Sequence, residues 1–417
     1  MPMEQKNWEY SHQRVVNAIA CARSGKPVLI QDAEGRENEV DLIVGGRFAT
    51  PEIVNVALTH ARGLLCVAVS SDVANRMGLT LVKTQFSSRF DTGFTLSVDV
   101  REGTTTGISA QDRSATIQAL ADGTHTLKDF VVPGHVFPVM ALEEGVLKRQ
   151  GHTEAAIDLM KLAGVEQVAM MCEVLDTDGR SLRGDAVRTV SEQHGWSVVS
   201  VQDILDYRLR TQSLVTVEAS AFLPTMFGDF QVLAYSLAGE PRPIVALVRR
   251  GSHPHWAQDV LVRLNSECFT GDVLRSQRCD CGDQLTKAMD EIQQQGEGVL
   301  LYLPQEGRGI GLIEKIRAYS LQEQGADTVD ANLQLGHPID ARNYGFASQV
   351  LKHLGLRSIR LLTNNPAKVE GVERYGISVV ERVPLEITPT KYNFEYLNTK
   401  KERLGHLLDN ALQSFRV

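Results

Sequence analysis

The chain has 417 residues, with 43 Lys and Arg against 51 Asp and Glu and a formal charge of −8. That length suits two or three domains, and the acidic excess excludes a general polyanion binder, so any phosphate must be met by a local site. No stretch approaches the ~20 apolar residues of a membrane helix, MPMEQKNWEYSHQ lacks a signal-peptide core, and six cysteines are too few for a disulfide scaffold; a cytoplasmic enzyme is the expectation.

In chain order, Ser11 reads as the cap of a helix with Val15, Val16, Ile19 and Ala22 on one face and Gly25 as its stop. VLI at 28–30 reads as a buried strand. Thr50-Pro51-Glu52 starts a helix with Pro in first position, Gly63 stops it, and the strand LLCVAV follows. A helix from Thr153 to Leu162 ends at Gly164, then come strand VAMMCEV, strand WSVVSV and helix QDILDYRLR. The pattern restarts at LVTVEASAFL, which puts a boundary near Tyr207–Ser213 and domains at 1–208 and 209–417. The second half shows strands IVALVRR, GVLLYL, IRLLT and ISVVE among helices IGLIEKIRAYSLQEQ, FASQVLKHL and PAKVEGVERY. The class is α/β (α+β): two consecutive domains, each a mixed sheet with flanking helices. The tail after Ile387 is polar and is expected to pack poorly.

Cys268, Cys279 and Cys281 stand at a tight spacing with no further cysteine nearby. Three thiolates in one loop suit zinc with an open fourth position, where the metal activates water for hydrolysis. Three buried free cysteines, or a structural knuckle, are the alternatives. QEGRGIG at 305–311 lies between a strand and an amphipathic helix, where glycines let backbone amides face an anion. Arg308 adds a donor fork, and Arg263, Arg317 and Lys368 complete a possible triphosphate wall. Asp340 and Arg342 read equally well as a solvated pair.

SECFTGDVLRSQRCDCG, QEGRGIGL, KIRAYSLQEQGADTVDAN and LLTNNPAKVE resemble GTP cyclohydrolase II, in register from about 214 to 405. The resemblance implies opening of the guanine imidazole ring with loss of formate and release of pyrophosphate, one zinc, and Mg²⁺ accompanying GTP. It makes Cys268, Cys279 and Cys281 zinc ligands. Arg263, Ser266, Glu267, Gln284, Glu306, Gly307, Arg308, Thr328, Thr363 and Lys368 become GTP-contacting positions, with Gln284 and Glu306 able to read the base edge. Asp340 becomes the proton acceptor, Arg342 the residue acting at the α-phosphate, and Tyr319 a water-handling group. Asn265 stands where the family has His, and Pro304 where it has a basic residue.

In the first half, DAEGRENEVD at 32–41 crowds Asp32, Glu34, Glu37, Glu39 and Asp41 around Arg36. Composition alone favours a solvated charge run; a Mg²⁺ site is the other reading. His152 sits at a helix start, where the dipole disfavours imidazolium, and is read as structural or as a ligand. TTGISAQDRSAT at 105–116 is a candidate phosphate cradle, and PGHVFP fixes His135. Together these resemble 3,4-dihydroxy-2-butanone 4-phosphate synthase over about residues 10–208. That implies ribulose 5-phosphate as substrate, two divalent ions (Mg²⁺ or Mn²⁺) and formate release. Glu37 and His152 become metal ligands. Arg36, Asp41, Arg149, Gly151 and Thr153 contact the sugar phosphate, and Asp32, Glu39, Cys66, His135 and Glu173 fall at other active-site positions. Glu173 and Asp41 are the candidates for proton transfer.

The whole chain thus resembles the bifunctional riboflavin-biosynthesis proteins that join the two enzymes, with homodimers implied and neither nucleic acid nor membrane as partner. Val40 replaces a family glycine and predicts strain if that position needs positive φ. Ala33 stands where a second acid is usual, and Val132 replaces an Arg. A cyclohydrolase whose first domain is a silent scaffold is the alternative these raise.

Overall fold

A computed structural model describes residues 3–82, 92–253, 255–256 and 258–414. Short apolar runs form seven strands in the first half: β1 (Val28–Gln31), β2 (Val40–Gly45), β3 (Cys66–Val69), β4 (Val98–Val100), β5 (Phe130–Met140), β6 (Val168–Glu173) and β7 (Ser197–Ser200). Their order is β4-β5-β3-β6-β2-β1-β7. β1/β7 and β3/β5 are parallel and the other neighbours antiparallel, so the sheet is mixed. β2 is buried along its whole length, apolar but for Asp41 near its start. Helices cover the sheet, and Leu29, Leu42, Val44, Val67 and Met170 lie in the core between.

Two expectations about this half are corrected. The first helix spans Met3–Arg23, so Ser11 is no cap. Its buried hydroxyl donates to Asp203 Oδ1 at 2.6 Å. Val40 is ordinary strand, opposite Gln31, and the left-handed residue of the acidic loop is Asn38 (φ 54°). The strain expected at Val40 does not arise, because a β-branched residue suits a strand.

The second half forms β8 (Val215–Thr225), β9 (Gly228–Leu237), β10 (Glu240–Arg249), β11 (Val260–Ser266), β12 (Gly298–Leu303), β13 (Ser358–Leu362) and β14 (Ser378–Val383), ordered β14-β13-β11-β12-β10-β9-β8. β14, β13, β11 and β12 run parallel; β12, β10, β9 and β8 alternate. Because β11, β12 and β13 are parallel, the chain leaves all three at one edge of the sheet. Segments 267–281, 304–311 and 363–368 start there, where open α/β sheets hold their ligands. The two sheets belong to separate compact units, Lys6–Arg208 and Leu209–Val417. The tail is not loosely packed: Phe394–Leu404 is a helix with Leu397 and Lys400 buried, and Asp409–Ser414 is another.

Candidate functional site

In the second unit a cleft of about 660 Å³ opens at that sheet edge, within the usual range for small-ligand sites. Arg263, Ser266, Glu267, Gln284, Glu306, Gly307, Arg308, Thr328, Thr363 and Lys368 all line it, together with Tyr319, Arg342 and the three cysteines. Asp340 does not. It lies behind Arg342, whose Nε donates to both its oxygens at 2.8 and 3.1 Å. Arg317 is outside the cleft too, paired with Glu314, so it leaves the triphosphate wall.

The cysteines converge at the start of helix Cys281–Gln295, their sulfurs within 4.8 Å of one another and Cys268 Sγ 3.8 Å from Cys279 Sγ. A tetrahedral ion with sulfurs at ~2.3 Å places them ~3.8 Å apart, so the set fits zinc. Gly271 makes room: a Cβ there would lie 2.9 Å from Cys279 Sγ and 3.1 Å from Cys268 Sγ. Lys315 Nζ donates to Cys268 Sγ at 3.1 Å and to Glu306 Oε1 at 2.7 Å. Hydrogen bonds from Cys279 and Cys281, then Lys315, hold the Cys268 thiol far below its ordinary range, while Cys279 is pushed up to about 11.

Glu306 is not free to read a base. It is buried, and it accepts from Phe269 N at 2.6 Å, Lys315 and Gly307 N. It ties the glycine turn to the cysteine loop. Gln284 is likewise engaged, accepting from Arg263 Nη2 at 2.8 Å and donating to Asp280 Oδ2 at 2.6 Å. Gly307 and Arg308 both adopt left-handed backbone (φ 61° and 60°), and Arg308 Nη1 and Nη2 are buried without a partner. That fork, with Lys368 and Arg263, makes the wall strongly cationic. Burial pushes the Lys368 ammonium well down, helped by Arg263 and Arg342, and lowers Arg263 to about 10. Such crowding is relieved by an anion.

Asn265 is buried, accepting from Arg263 Nη2 at 3.3 Å and donating to Asp272 at 3.4 Å. The Pro304 carbonyl accepts from Arg242 Nη2 at 2.6 Å, so a cation from β10 stands where the sequence lost one. Sequence reasoning missed Asp272 and Lys315. Asp272 accepts from Cys268 N at 3.1 Å and Tyr302 OH at 2.8 Å. Lys315 and Tyr319 are four residues apart on one helix, a spacing that was available as a signal. The Tyr319 hydroxyl lies 3.1 Å from Thr270 Oγ1. The missed tail supplies Tyr392, Tyr396, Lys400 and His406 to the cleft.

In the first unit the acidic loop is folded on itself and is not a solvated run. Asp32 accepts from Arg36 Nη1 at 2.9 Å and from the amides of Glu37 and Glu39 at 3.2 and 3.0 Å. Glu37 Oε2 lies 3.3 Å from His152 Nδ1, and Asp32 Oδ1 4.0 Å from Nε2. Asp32, Glu37 and His152 form a group able to hold a cation. His152 opens helix His152–Ala163. Against burial, Asp41, Glu37 and Asp32 raise its ring to about 9, the mark of a pocket seeking positive charge.

Asp41 and Glu173 face each other across β2 and β6. Asp41 is pushed up to about 7 by burial and by the neighbouring carboxylates, and its Oδ1 has no partner. Glu173 accepts from Leu64 N at 2.8 Å, and burial raises its carboxyl. Cys66 and Cys172 are buried beside this pair with thiols pushed far up, first by burial. Cys66 is almost wholly enclosed, at 1% exposure. Arg149 Nη1 donates to Glu154 Oε2 at 2.5 Å, and a Cβ on Gly151 would lie 2.3 Å from that nitrogen. Thr153 is buried. His135 pairs through Nδ1 with Asp99 Oδ2 at 2.7 Å. Arg113, whose guanidinium burial pulls down and Cys172 and Asp99 hold up, supplies a cation on this side. The loop at 105–109 closes on Asp112, which accepts from Thr105 N, Thr105 Oγ1 and Gly107 N at 3.1, 2.8 and 3.0 Å. Those donors are used internally.

Comparison with known proteins agrees in both halves. Residues 16–207 match the family described as 3,4-dihydroxy-2-butanone 4-phosphate synthase, and residues 216–384 that described as GTP cyclohydrolase II. The chain is 46% identical to riboflavin biosynthesis protein RibBA of Bacillus velezensis, covering 94% of this chain and 98% of that one. It is also 46% identical to RibBA of Phocaeicola vulgatus, covering 94% and 97%. Among solved structures it is similar to RibBX, a two-domain 3,4-dihydroxy-2-butanone 4-phosphate synthase from A. baumannii, with TM-score 0.69 and 30% identity over 88% of this chain and 98% of that one.

Proposed function

Since the chain belongs to the bifunctional riboflavin biosynthesis family, joining a 3,4-dihydroxy-2-butanone 4-phosphate synthase to a GTP cyclohydrolase II, we propose that its two clusters are the two catalytic centres. The observation that carries this is the cysteine trio set at zinc spacing in a cleft whose Arg308 fork has no partner. We assign residues 1–208 to the first reaction and 209–417 to the second.

In the second unit Cys268, Cys279 and Cys281 would hold zinc, which supplies Lewis acidity for hydrolysis at the guanine ring. Arg308, Lys368, Arg263 and Arg342 bind and orient the triphosphate, entering with Mg²⁺, and Asp340 fixes the Arg342 fork. Thr363, Thr328, Ser266 and Gly307 add donors. Glu306, Glu267 and Gln284 shape the cleft through Lys315, Arg242 and Arg263. Tyr319, with Thr270, orders water at the ring.

In the first unit Glu37 and His152, with Asp32 behind them, would hold the divalent ions (Mg²⁺ or Mn²⁺), which stabilise developing negative charge next to a carbonyl. Asp41 and Glu173 move the protons. A carboxyl poised near neutrality in a buried pair is suited to both acid and base steps. Arg36, Arg149, Gly151, Thr153 and His135 grip the sugar phosphate, and Glu39 holds the loop through its bond from Ser181 Oγ at 2.8 Å. We further propose a cytoplasmic homodimer that binds neither nucleic acid nor membrane. The acidic balance argues against nucleic acid as a partner, and among the described residues no helix is long and apolar enough to cross a bilayer.

The test is paired. Cys268→Ser should abolish zinc retention and formate release from GTP while formate release from ribulose 5-phosphate persists. His152→Ala should do the reverse. A zinc-free variant that still turned over GTP would sink the zinc assignment.

A further inference from the structure

Residues 392–406 lie beyond residue 384, where the match to the cyclohydrolase family ends, yet Tyr392, Tyr396, Lys400 and His406 form a wall of the nucleotide cleft. Three ties hold this segment to elements that carry the site. Lys400 Nζ donates to Asp280 Oδ1 at 2.6 Å, and both are buried. Asp280 sits between Cys279 and Cys281, so helix Phe394–Leu404, the terminal helix but for the short Asp409–Ser414, is locked to the cysteine loop. Leu407 N donates to Asn364 O at 2.9 Å, next to Thr363. Arg403 reaches Asp327 and Asp330, which flank Thr328 at its helix start.

Within this frame His406 has a fixed place. Its amide donates to the Lys400 carbonyl at 3.0 Å, closing the helix end. Its Nδ1 is buried and has no partner. Burial, then the charges of Lys400, Arg308, Arg342 and Lys368, push its ring down to about 3, so it is neutral. A neutral imidazole still offers one N–H. An unpartnered ring nitrogen and the unpartnered Arg308 fork thus share one cationic wall. With the proton of the neutral ring on Nδ1, both are buried donors, which are normally satisfied, and a phosphate oxyanion satisfies both.

We infer that His406 binds the phosphates of the nucleotide, and that the Lys400–Asp280 pair positions it by locking the terminal helix onto the cysteine loop. The inference rests on reading this cleft as the GTP site.

The experiment uses the full chain with zinc bound. KM and kcat for formate release from GTP, and the inhibition constant of inorganic pyrophosphate, are measured for H406A, H406N, K400M, K400R and R308A. A lost bond to a charged group corresponds to about tenfold. H406A should raise both KM and the pyrophosphate constant by about that factor with kcat changed little, and H406N should recover most of it. K400M should reproduce the rise and K400R should reverse it. Unchanged constants in H406A, or a fall in kcat alone, overturn the phosphate role. A K400M effect that K400R does not recover overturns the positioning role. R308A separates the two levels: if it too leaves both constants unchanged, the reading of the cleft itself fails. Zinc content and the thermal unfolding profile report folding of the second unit in each variant.

Discussion

At the scale of single residues, the most informative group is Asp41. Its carboxyl is raised from 3.8 to about 7, first by burial and then by the carboxylates around it, with His152 opposing. An acid raised in the fold binds its proton more tightly there than in the unfolded chain. The Asp41 contribution to stability should therefore fall as pH climbs from about 4 to about 7, and level off above. Asp41→Asn removes that titration. In metal-free protein the variant should match the wild type below pH ~4 and exceed it above pH ~7, by at most on the order of 4 kcal/mol. Urea unfolding of the first unit across that pH range checks this, and a pH-independent difference would refute it. The same variant should lose formate release from ribulose 5-phosphate. Residue types were legible here; their state was not. On composition alone Asp32, Glu37 and Asp41 favour a solvated charge run over a Mg²⁺ site, because nothing in their spacing tells that Asp32 is consumed by backbone amides while Asp41 is buried in strand.

At the scale of elements, the cysteine loop turns on Gly271, and not for backbone freedom. The contacts a Cβ would make are with Cys279 Sγ, Cys268 Sγ and Cys281 Cβ, at 2.9, 3.1 and 3.1 Å. Gly271→Ala should therefore spread the thiols while the helices stay put. Zinc affinity, measured by chelator competition, should fall about tenfold or more, since ligand geometry sets affinity, with far-UV circular dichroism unchanged. Wild-type affinity in the variant would show that the loop can absorb the methyl. Periodicity found most strands and helices, because apolar faces announce themselves. It failed for Phe394–Leu404, which turns Tyr396 and Lys400 toward a polar cleft. Lys400 stands on the buried face beside Leu397, and a cation there breaks the apolar pattern.

At the scale of the whole molecule, each seven-stranded mixed sheet carries its own core, its own acids or thiols, and its own family match. No residue assigned to one reaction lies in the unit assigned to the other. The two-domain division was readable because the strand pattern restarts after a polar stretch. The terminal helix was not readable as part of the second site, because its ties to Asp280 and Asn364 span long stretches of sequence. These facts argue for chemistry that is separable. Expressed apart, residues 1–208 should release formate from ribulose 5-phosphate and residues 209–417 from GTP, each with kcat/KM within about tenfold of the full chain, a margin of ~1.4 kcal/mol. Ending the second piece at residue 387 should raise its KM for GTP by about tenfold or more, because Lys400 and His406 go with the tail. If either long piece is folded but inactive, the domain boundary or the independence of the sites is wrong. If the piece ending at 387 keeps full activity, the terminal helix is a bystander to catalysis.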